Sequence, residues 1–517
     1  MTSAGASSAL DRRTLLATVA IAVLLGLFAM NDVPVGVFQD DGHYLILARA
    51  LARGEGYRYF NLPGAPPATH FPPGYPLLLM PLWWVSPRFP ANVALLKLLN
   101  VALLPLAALA VRALARRVSG LSVAAASAVA VASVATVPVL FLTGLIFSET
   151  AFIGAMCGAL MTAERLAGSA GATRRAALGV GVAVGALALL RTVGVALLPA
   201  VLAVLLWRRR WRDAALVFAG ALALLLPWQW WTAVHAHDVP TAIAGAYGAY
   251  GPWLAAAYRA GGPGFAWDVL RENAHGFLMP LTLFGLMPAS PWMQGAAVAA
   301  LAVLAGAGAW HLRRRAPVTL CFFIPYGALL LVWPFVPDRF LWPLWPVVLV
   351  LLVVGTSRLG WGDDPPSRRR SATRVVVRVA AAALGALFVV WHARTWPTRS
   401  WEGIARENAR VGMAAAAVAA GLPGDGLIAS DQDAMVHLYA GRRAVPLLTL
   451  TAEERVHERT DADMAAQLDG VLDAYHPRWV VVVQRPSMRA AQQLVQRGRL
   501  KLMGAAPSGV LVYDVVR

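Results

Sequence analysis

Two adjacent carboxylates, Asp40 and Asp41, follow the first long apolar segment, in the sequence QDDGHYLILARAL. A carboxylate held at a membrane surface can act as a general base or can bind a divalent cation. Asp41 also resembles the capping residue of a helix that starts here, and one Asp would be enough for that role. We therefore predict that the pair acts in chemistry, with capping by Asp41 as the alternative. The sequence identifies no cofactor with certainty, and a divalent cation held by Asp40 and Asp41 is a candidate.

Glu149 is one of few acidic residues within the apolar runs, in the sequence LIFSETAFIG. An ionisable group in a membrane span is costly and usually faces a cavity or a partner. We therefore predict a functional role for Glu149. The alternative is a carboxylate at the level of the membrane interface that reaches water.

Two arginines stand apart from the basic clusters of the chain. Arg191 interrupts an apolar run in LLRTVG, and Arg339 begins one in PDRFLWPLWP. The planar guanidinium fork is suited to binding phosphate. The alternative for each is an interfacial anchor, or an ion-pair partner for Asp338 or Glu149.

The remaining motifs are weak. His43 and His70 flank the first loop, and His235 and His237 precede Asp238 in a later loop. Metal binding by the later set is an option, but a solvated loop is the simpler interpretation of this spacing. The sequence contains no P-loop, Rossmann glycine fingerprint, zinc-protease motif or nucleophile elbow in a suitable context.

The composition indicates an integral membrane protein. Of 517 residues, 58% are hydrophobic and only 14% are charged, with a mean hydropathy of +0.60. Soluble domains carry about 25% charged residues, so an ordinary cytosolic enzyme is excluded. The net charge of +18 comes from basic clusters between apolar runs, which is typical of cytoplasmic loops and not of a nucleic-acid groove.

A membrane-spanning helix needs about 20 mostly apolar residues. By this criterion the sequence predicts about eleven spans. The stretch 176–207 is too long for one helix, so we predict two short spans with a break at Arg191. The other predicted spans are 14–30, 93–114, 121–142, 145–163, 214–232, 292–312, 316–335, 338–357 and 374–393.

The basic clusters fall at alternate loops, which predicts a cytoplasmic N-terminus. They are Arg12/Arg13, Arg116/Arg117, Arg174/Arg175, Arg208 to Arg212, Arg313 to Arg315 and Arg368 to Arg370. An odd number of spans places the long loop 31–75 and everything after residue 396 outside the cytoplasm. We predict a membrane domain at 1–396 and an extracytoplasmic α/β domain at 397–517, with strands at 427–430 and 479–484 and a helix at 461–473.

With these positions in order, the sequence resembles the GT-C superfamily of integral membrane glycosyltransferases. It looks most like the polyprenyl-phosphate-dependent branch, which includes protein O-mannosyltransferases, the lipid A aminoarabinose transferase and lipopolysaccharide-core galacturonosyltransferases. The matching motifs are Asp40-Asp41-Gly42-His43-Tyr44 with Ala48, Pro72 to Leu78, Ser148-Glu149, Arg191 to Gly194, Leu226-Pro227-Trp228 and Arg339-Phe340.

The resemblance implies an inverting transfer of a sugar from a polyprenyl-phosphate-linked donor to a lipid, glycan or protein acceptor. The reaction would take place at the outer face of the cytoplasmic membrane, without nucleic acid, and membrane lipids would be partners of this multi-pass protein. Asp40 would take the acceptor proton, and Asp41 is its catalytic companion. The implied substrate-contacting residues are Tyr44, His70, Tyr75, Glu149, Arg191 and Arg339.

Two other classes of protein remain as alternatives. A transporter or flippase for lipid-linked sugars would favour ionisable residues at the middle of the membrane and discontinuous helices in matching halves. We find no paired repeat halves in the sequence. A polysaccharide ligase or polymerase would use a lipid-linked sugar on another fold.

Overall fold

The structure is a computed structural model that describes residues 3–169, 171, 173–361 and 368–516, without the side chains of residues 3–8 and 368–370. The predicted basic cluster Arg368 to Arg370 therefore lies outside the described side chains. Within the described ranges the chain forms a helical membrane part that is followed by a small sheet.

The first half of the chain forms ten helices, most of which fall within predicted apolar runs. They are α1 (Ser3–Ala29), α2 (Asp40–Ala52), α3 (Gly74–Val85), α4 (Val93–Arg117), α5 (Val123–Val134), α6 (Val137–Thr143), α7 (Glu149–Gly168), α8 (Arg174–Leu190), α9 (Leu197–Trp207) and α10 (Trp211–Val234). Helix α4 packs against α1, α5 and α7, so it lies at the centre of this half.

The second half of the membrane part is less regular. Its helices are α11 (Ala244–Tyr247), α12 (Tyr250–Gly276), α13 (Pro291–Leu312), α14 (Pro317–Val332), α15 (Asp338–Leu341), α16 (Trp345–Trp361) and α17 (Arg368–Thr398). Gly262 has a φ of +61°, which favours glycine, and it divides α12 into two pieces.

The described helices include six that are long and apolar enough to cross a membrane, or seven if the pair α5 and α6, bent by 62°, is one span. The chain is therefore a multi-pass membrane protein, but the predicted number of eleven spans is not confirmed. Several predicted spans form shorter apolar helices, such as Pro317–Val332. Helix α7 is long enough, but it carries Glu149, Glu164 and Arg165.

The predicted break at Arg191 is confirmed. Helix α8 ends at Leu190, Arg191 is extended with φ −148° and ψ 128°, and a 3₁₀ turn at Thr192–Ala196 leads into α9. Gly194 permits this path, because a Cβ there would lie 2.7 Å from the carbonyl oxygen of Leu187. The break turns the Arg191 side chain out of the helical ladder and towards α7.

The C-terminal part contains α18 (Gly403–Gly421), β1 (Ile428–Ser430), α19 (Asp433–Ala440), β2 (Ala444–Pro446), α20 (Asp461–Tyr475), β3 (Trp479–Val482), α21 (Arg485–Gln496), β4 (Leu500–Ala505) and β5 (Leu511–Val515). The sheet order is β2-β1-β3-β5-β4. Strand β1 runs parallel to β2 and β3, and β5 runs antiparallel to β3 and β4. The strands and helix predicted at 427–430, 479–484 and 461–473 are present.

The sheet packs on the loops that precede and follow α2. The backbone N–H of Ala444 donates to the carbonyl of Asn61 at 2.9 Å, and that of Val35 donates to the Tyr439 hydroxyl at 3.0 Å. Helix α2 touches α19 so closely that a Cβ at Gly42 would lie 2.7 Å from the Cβ of Ala434. The C-terminal part thus helps to fix the start of α2.

Candidate active site

The loop before α2 is shaped by the Asp41 carboxylate. It accepts hydrogen bonds from the backbone N–H groups of Gly36 at 2.6 Å, Val37 at 3.2 Å and Phe38 at 2.9 Å. These donors precede the helix, so the alternative of Asp41 as a cap of α2 is wrong: its carboxylate holds the loop instead. Gln39, with φ +60° and ψ −59°, occupies the capping position. Such a conformation costs about 1–3 kcal/mol and persists where surrounding contacts fix it.

Lys97, near the N-terminal end of α4, fixes the start of the same loop. Its ammonium donates to the carbonyl of Val33 at 2.6 Å, to the side chain of Asn31 at 2.7 Å and to the Asn31 carbonyl at 3.2 Å. The sequence analysis overlooked this residue. A lone Lys inside VALLKLLN was the available signal, because a buried ammonium needs acceptors close by.

Asp40 is the first residue of α2 and projects towards α15. Its Oδ2 lies 2.8 Å from Nη1 of Arg339. The side chains of Asp40 and Arg339 are 30% and 32% exposed, so this pair is open to an approaching ligand. Asp40 also lies at the N-terminal end of α2, where the helix dipole attracts negative charge.

The Glu149 carboxylate bridges the two arginines. Its Oε1 accepts hydrogen bonds from Arg339 Nε at 3.0 Å and Nη2 at 2.8 Å, and it lies 2.6 Å from Arg191 Nη1. The Glu149 side chain is only 2% exposed, and Arg191 Nη1 also donates to the Ser148 hydroxyl at 3.0 Å. A buried carboxylate with two guanidiniums fixes both cations at one place. This arrangement realises the predicted alternative of an ion pair for both arginines; Arg191 is buried, whereas Arg339 stays 32% exposed.

Aromatic rings support both guanidiniums. The Cζ of Arg339 lies 4.3 Å from the ring centroid of Phe147, and the Cζ of Arg191 lies 5.1 Å from that of Phe340. These are cation–π distances. The rings limit the movement of the guanidiniums and exclude water from one side of each.

Asp40, Arg191 and Arg339 open onto one cavity of about 620 Å³. The charged groups lie on one side of it and apolar side chains form most of the rest. The other lining residues are Tyr44, Phe71, Pro72, Leu190, Thr192, Val193, Tyr250, Leu329, Leu330, Trp333 and Phe340. A cavity with charged groups on one side and apolar side chains on the other fits a ligand that has an anionic group beside an apolar chain.

The other predicted site residues lie one layer behind the cavity wall. Tyr75 is buried, donates its hydroxyl to Asn100 at 3.0 Å, and packs its ring on Tyr44, which lines the cavity. His70 hydrogen-bonds the Gly248 carbonyl through Nδ1 at 2.8 Å and packs on Tyr250. Both therefore support cavity residues, and the structure does not bring them into the cavity itself.

The buried histidines are uncharged at neutral pH. Burial and, to a smaller extent, the nearby His70 together lower the pKa of the His43 imidazole to about 3. Burial likewise lowers the pKa of His70 to about 4, although the Gly248 carbonyl acts in the opposite direction. Neither ring adds a positive charge to the arginines at pH 7.

The described residues contain no group of three or more His, Cys, Asp and Glu side chains that could hold a metal ion. Asp40 contacts Arg339, whereas Asp41 turns towards the backbone of residues 36–38. The two carboxylates therefore face different partners, and this geometry does not favour a cation shared between them.

No family model and no curated protein sequence matches this chain. Solved structures do match it. ArnT from Cupriavidus metallidurans in the apo state has 14% sequence identity and a TM-score of 0.55, over 97% of both chains. The same protein bound to undecaprenyl phosphate has 15% identity and a TM-score of 0.54, again over 97% of both. The apo Archaeoglobus fulgidus oligosaccharyltransferase has 14% identity and a TM-score of 0.51, over 98% of this chain and 74% of that chain.

These proteins are glycosyltransferases of the GT-C superfamily. The chain has the GT-C fold. The predicted resemblance is thereby confirmed at the level of the fold, since identities of 14–15% support that level and no more. Within this GT-C fold, the cluster of Asp40, Glu149, Arg191 and Arg339 lies where the membrane helices meet the C-terminal part.

Proposed function

We propose that this chain is a membrane glycosyltransferase. It transfers a sugar, with inversion, from a polyprenyl-phosphate-linked donor to a lipid, glycan or protein acceptor at the outer face of the cytoplasmic membrane. The observation that carries the proposal is the amphipathic cavity in which one exposed carboxylate, Asp40, faces two clustered guanidiniums. The GT-C fold, and a similar protein crystallised with undecaprenyl phosphate, support the choice of donor.

The donor phosphate binds at Arg191 and Arg339. Both guanidiniums are positioned in advance by Glu149, so little reorganisation is needed when charge develops on the leaving group. The polyprenyl chain extends along the apolar wall of the cavity. The phosphate competes with Asp40 for Arg339, which releases the Asp40 carboxylate at the moment when the donor is bound.

Asp40 then accepts the proton of the acceptor hydroxyl. The acceptor oxygen forms a bond to the anomeric carbon while the bond from that carbon to the phosphate oxygen breaks. The electron pair of the broken bond stays on the polyprenyl phosphate, where the two guanidiniums stabilise it. Asp41 contributes by holding the loop that presents Asp40, and Tyr44 lines the cavity beside them.

The test is donor turnover by the purified full chain in lipid nanodiscs. A panel of undecaprenyl-phosphate sugars is supplied together with a panel of lipid, glycan and protein acceptors, and released undecaprenyl phosphate is measured. We expect Asp40→Asn to retain donor binding and to lose about 10²–10⁴-fold in turnover, which is the usual contribution of a positioned base. The matched control is Asp32→Asn in the same loop, because Asp32 is 83% exposed and pairs with Arg406. Turnover by Asp40→Asn within a few-fold of the parent would remove Asp40 from the mechanism.

A further inference from the structure

A second cavity lies at the carboxyl edge of the C-terminal sheet. Strand β1 runs between β2 and β3 and parallel to both, so the chain leaves β1 for one side and later returns on the other. In open sheets of this kind, ligands bind in the crevice outside the carboxyl ends of the strands, where the strand order reverses. Asp431 directly follows β1, and Gln484 follows β3 at the start of α21.

The cavity has a volume of about 1030 Å³. Its lining is rich in amides, hydroxyls and carboxylates, among them Asn408, Asp431, Thr449, Gln484 and Ser487. Residues 36–39, the loop that precedes Asp40, form one part of its wall, and further residues of the C-terminal part form the rest. The sheet edge and the catalytic loop thus enclose one space.

Asp431 has an unfilled acceptor. Its Oδ2 accepts hydrogen bonds from the backbone N–H groups of Val483 at 3.0 Å and Gln484 at 2.7 Å, which join β1 to the start of α21. Its Oδ1 is buried and makes no hydrogen bond of normal geometry among the described residues, although the Ser487 hydroxyl lies close to the carboxylate. A buried acceptor of this kind is costly unless a ligand or water donates to it.

The lining chemistry favours a neutral ligand rich in hydroxyls. The Asp431 carboxylate repels an anion, and the carboxyl of Asp433, whose pKa burial raises to about 7, already accepts a hydrogen bond from the Tyr247 hydroxyl. The nearby cation Arg459 is already paired with Glu454 at 2.6 Å and hydrogen-bonded to the Gln467 side chain at 2.7 Å. Hydroxyl groups can donate to a carboxylate and accept from an amide, which matches the mixture of groups here. An apolar chain would leave these groups without partners.

One stretch of backbone, at Gln39 and Asp40, borders both the sheet-edge cavity and the cavity of the proposed active site. Asn408 of α18 donates to the carbonyl of Val37 at 3.2 Å, so the cavity wall and the loop move together. Residue Gln39 lines this cavity, and its neighbour Asp40 lines the first. A ligand in the sheet-edge cavity therefore lies against the loop that carries Asp40.

We propose that the sheet-edge cavity binds a neutral carbohydrate portion of the acceptor and positions it for attack. Asp431 and Gln484 are the contacting residues. This inference rests on the proposed glycosyl transfer, but binding to the cavity can be measured without it.

The test uses the full chain in nanodiscs and a panel of neutral mono- and disaccharides as probes, with binding followed by saturation-transfer NMR. We expect at least one saccharide to bind, and we expect Asp431→Asn and Gln484→Ala each to weaken it roughly ten- to a hundredfold. Gln484 is exposed, so its removal leaves folding intact. The matched controls are Asp425→Asn and Gln492→Ala, two exposed residues of the same domain away from the cavity, and they should bind as the parent does.

The outcomes separate this inference from the proposed function. Asp40→Asn should lose donor turnover and keep saccharide binding. Absence of saccharide binding, equal binding by the parent and both cavity variants, or a binding preference for inorganic phosphate would each overturn the carbohydrate site. Loss of acceptor-independent donor binding in Gln484→Ala would also contradict it, because the donor occupies the other cavity.

Discussion

The charge of Glu149 holds the two guanidiniums together, and its removal tests this role directly. We expect Glu149→Gln to lower the free energy of unfolding by about 3 kcal/mol. Gln keeps an oxygen in place of Oε1 and so preserves the three contacts, at 2.6, 2.8 and 3.0 Å, but it removes the negative charge. The guanidiniums stay charged, so each contact changes from an ion pair to a hydrogen bond in which only the donor is charged, with a loss of about 1 kcal/mol for each contact.

Burial is what makes this loss large, and the chain supplies a matched control. Glu407 Oε1 lies 2.6 Å from Arg410 Nη2, which is the distance between Glu149 and Arg191, but the side chains are 59% and 62% exposed. An exposed pair contributes about 0–1 kcal/mol, so Glu407→Gln should change little. For Glu149, breaking a buried pair typically costs about 3–5 kcal/mol, which agrees with the estimate from the contacts.

The assay is unfolding of the purified chain in mixed micelles of increasing SDS content, followed by the fluorescence of its 19 tryptophans. Donor turnover is measured on the same samples, and Glu149→Gln should lose it because both phosphate contacts loosen. If Glu149→Gln and Glu407→Gln unfold at the same SDS fraction, burial does not set the strength of the pair. The cluster would then be held by its aromatic neighbours and not by Glu149.

Three further predictions concern the arginines, the topology and pH. Arg339→Ala should raise the donor KM roughly ten- to a hundredfold, and Arg339→Lys, which lacks the planar guanidinium fork, should recover only part of this loss. Normal donor kinetics in both Arg339→Ala and Arg191→Ala would mean that the arginines only anchor the protein at the membrane interface. A reporter that is active only outside the cytoplasm should be active when fused to the C-terminus, whereas activity of a cytoplasmic reporter there would move the site to the other face. His70 takes up a proton below about pH 6.5 in the unfolded chain but only below about pH 4 in the folded chain. Lowering the pH from 6.5 to 4 should therefore reduce the free energy of unfolding by up to about 3 kcal/mol. The variant His70→Asn should lose that part of the pH dependence.

The residue types of the site were readable in the sequence because charges are rare in the apolar runs. Arg191 interrupts one run and Arg339 begins another, and the structure brings both to Glu149. The role of Asp41 was not readable, since its donors are backbone N–H groups of an irregular loop. Lys97 was overlooked for the same reason, because the groups that satisfy it are mostly carbonyls.

The sequence indicated the class of the fold better than its details. The number of spans predicted from apolar length is not confirmed, because predicted spans such as α9 and α14 form helices of 11 and 16 residues, shorter than the usual length of a membrane span. Strands β1 and β3 were predicted because both are buried throughout. Strand β4 has an exposed surface and lies at the sheet edge, so its hydrophobic signal is weak.

The contact between the start of α2 and α19 has a consequence for the biosynthesis of the protein. The hydrogen bond from Val35 to Tyr439 joins residues 404 positions apart, and the pair of Asp40 and Arg339 joins residues 299 positions apart. Asp40 therefore leaves the ribosome early but acquires its surroundings only when nearly the whole chain has been made and the last segment has docked. An unfinished chain in the membrane has the carboxylate without its arginine and without α19, and so lacks the proposed site until synthesis is nearly complete.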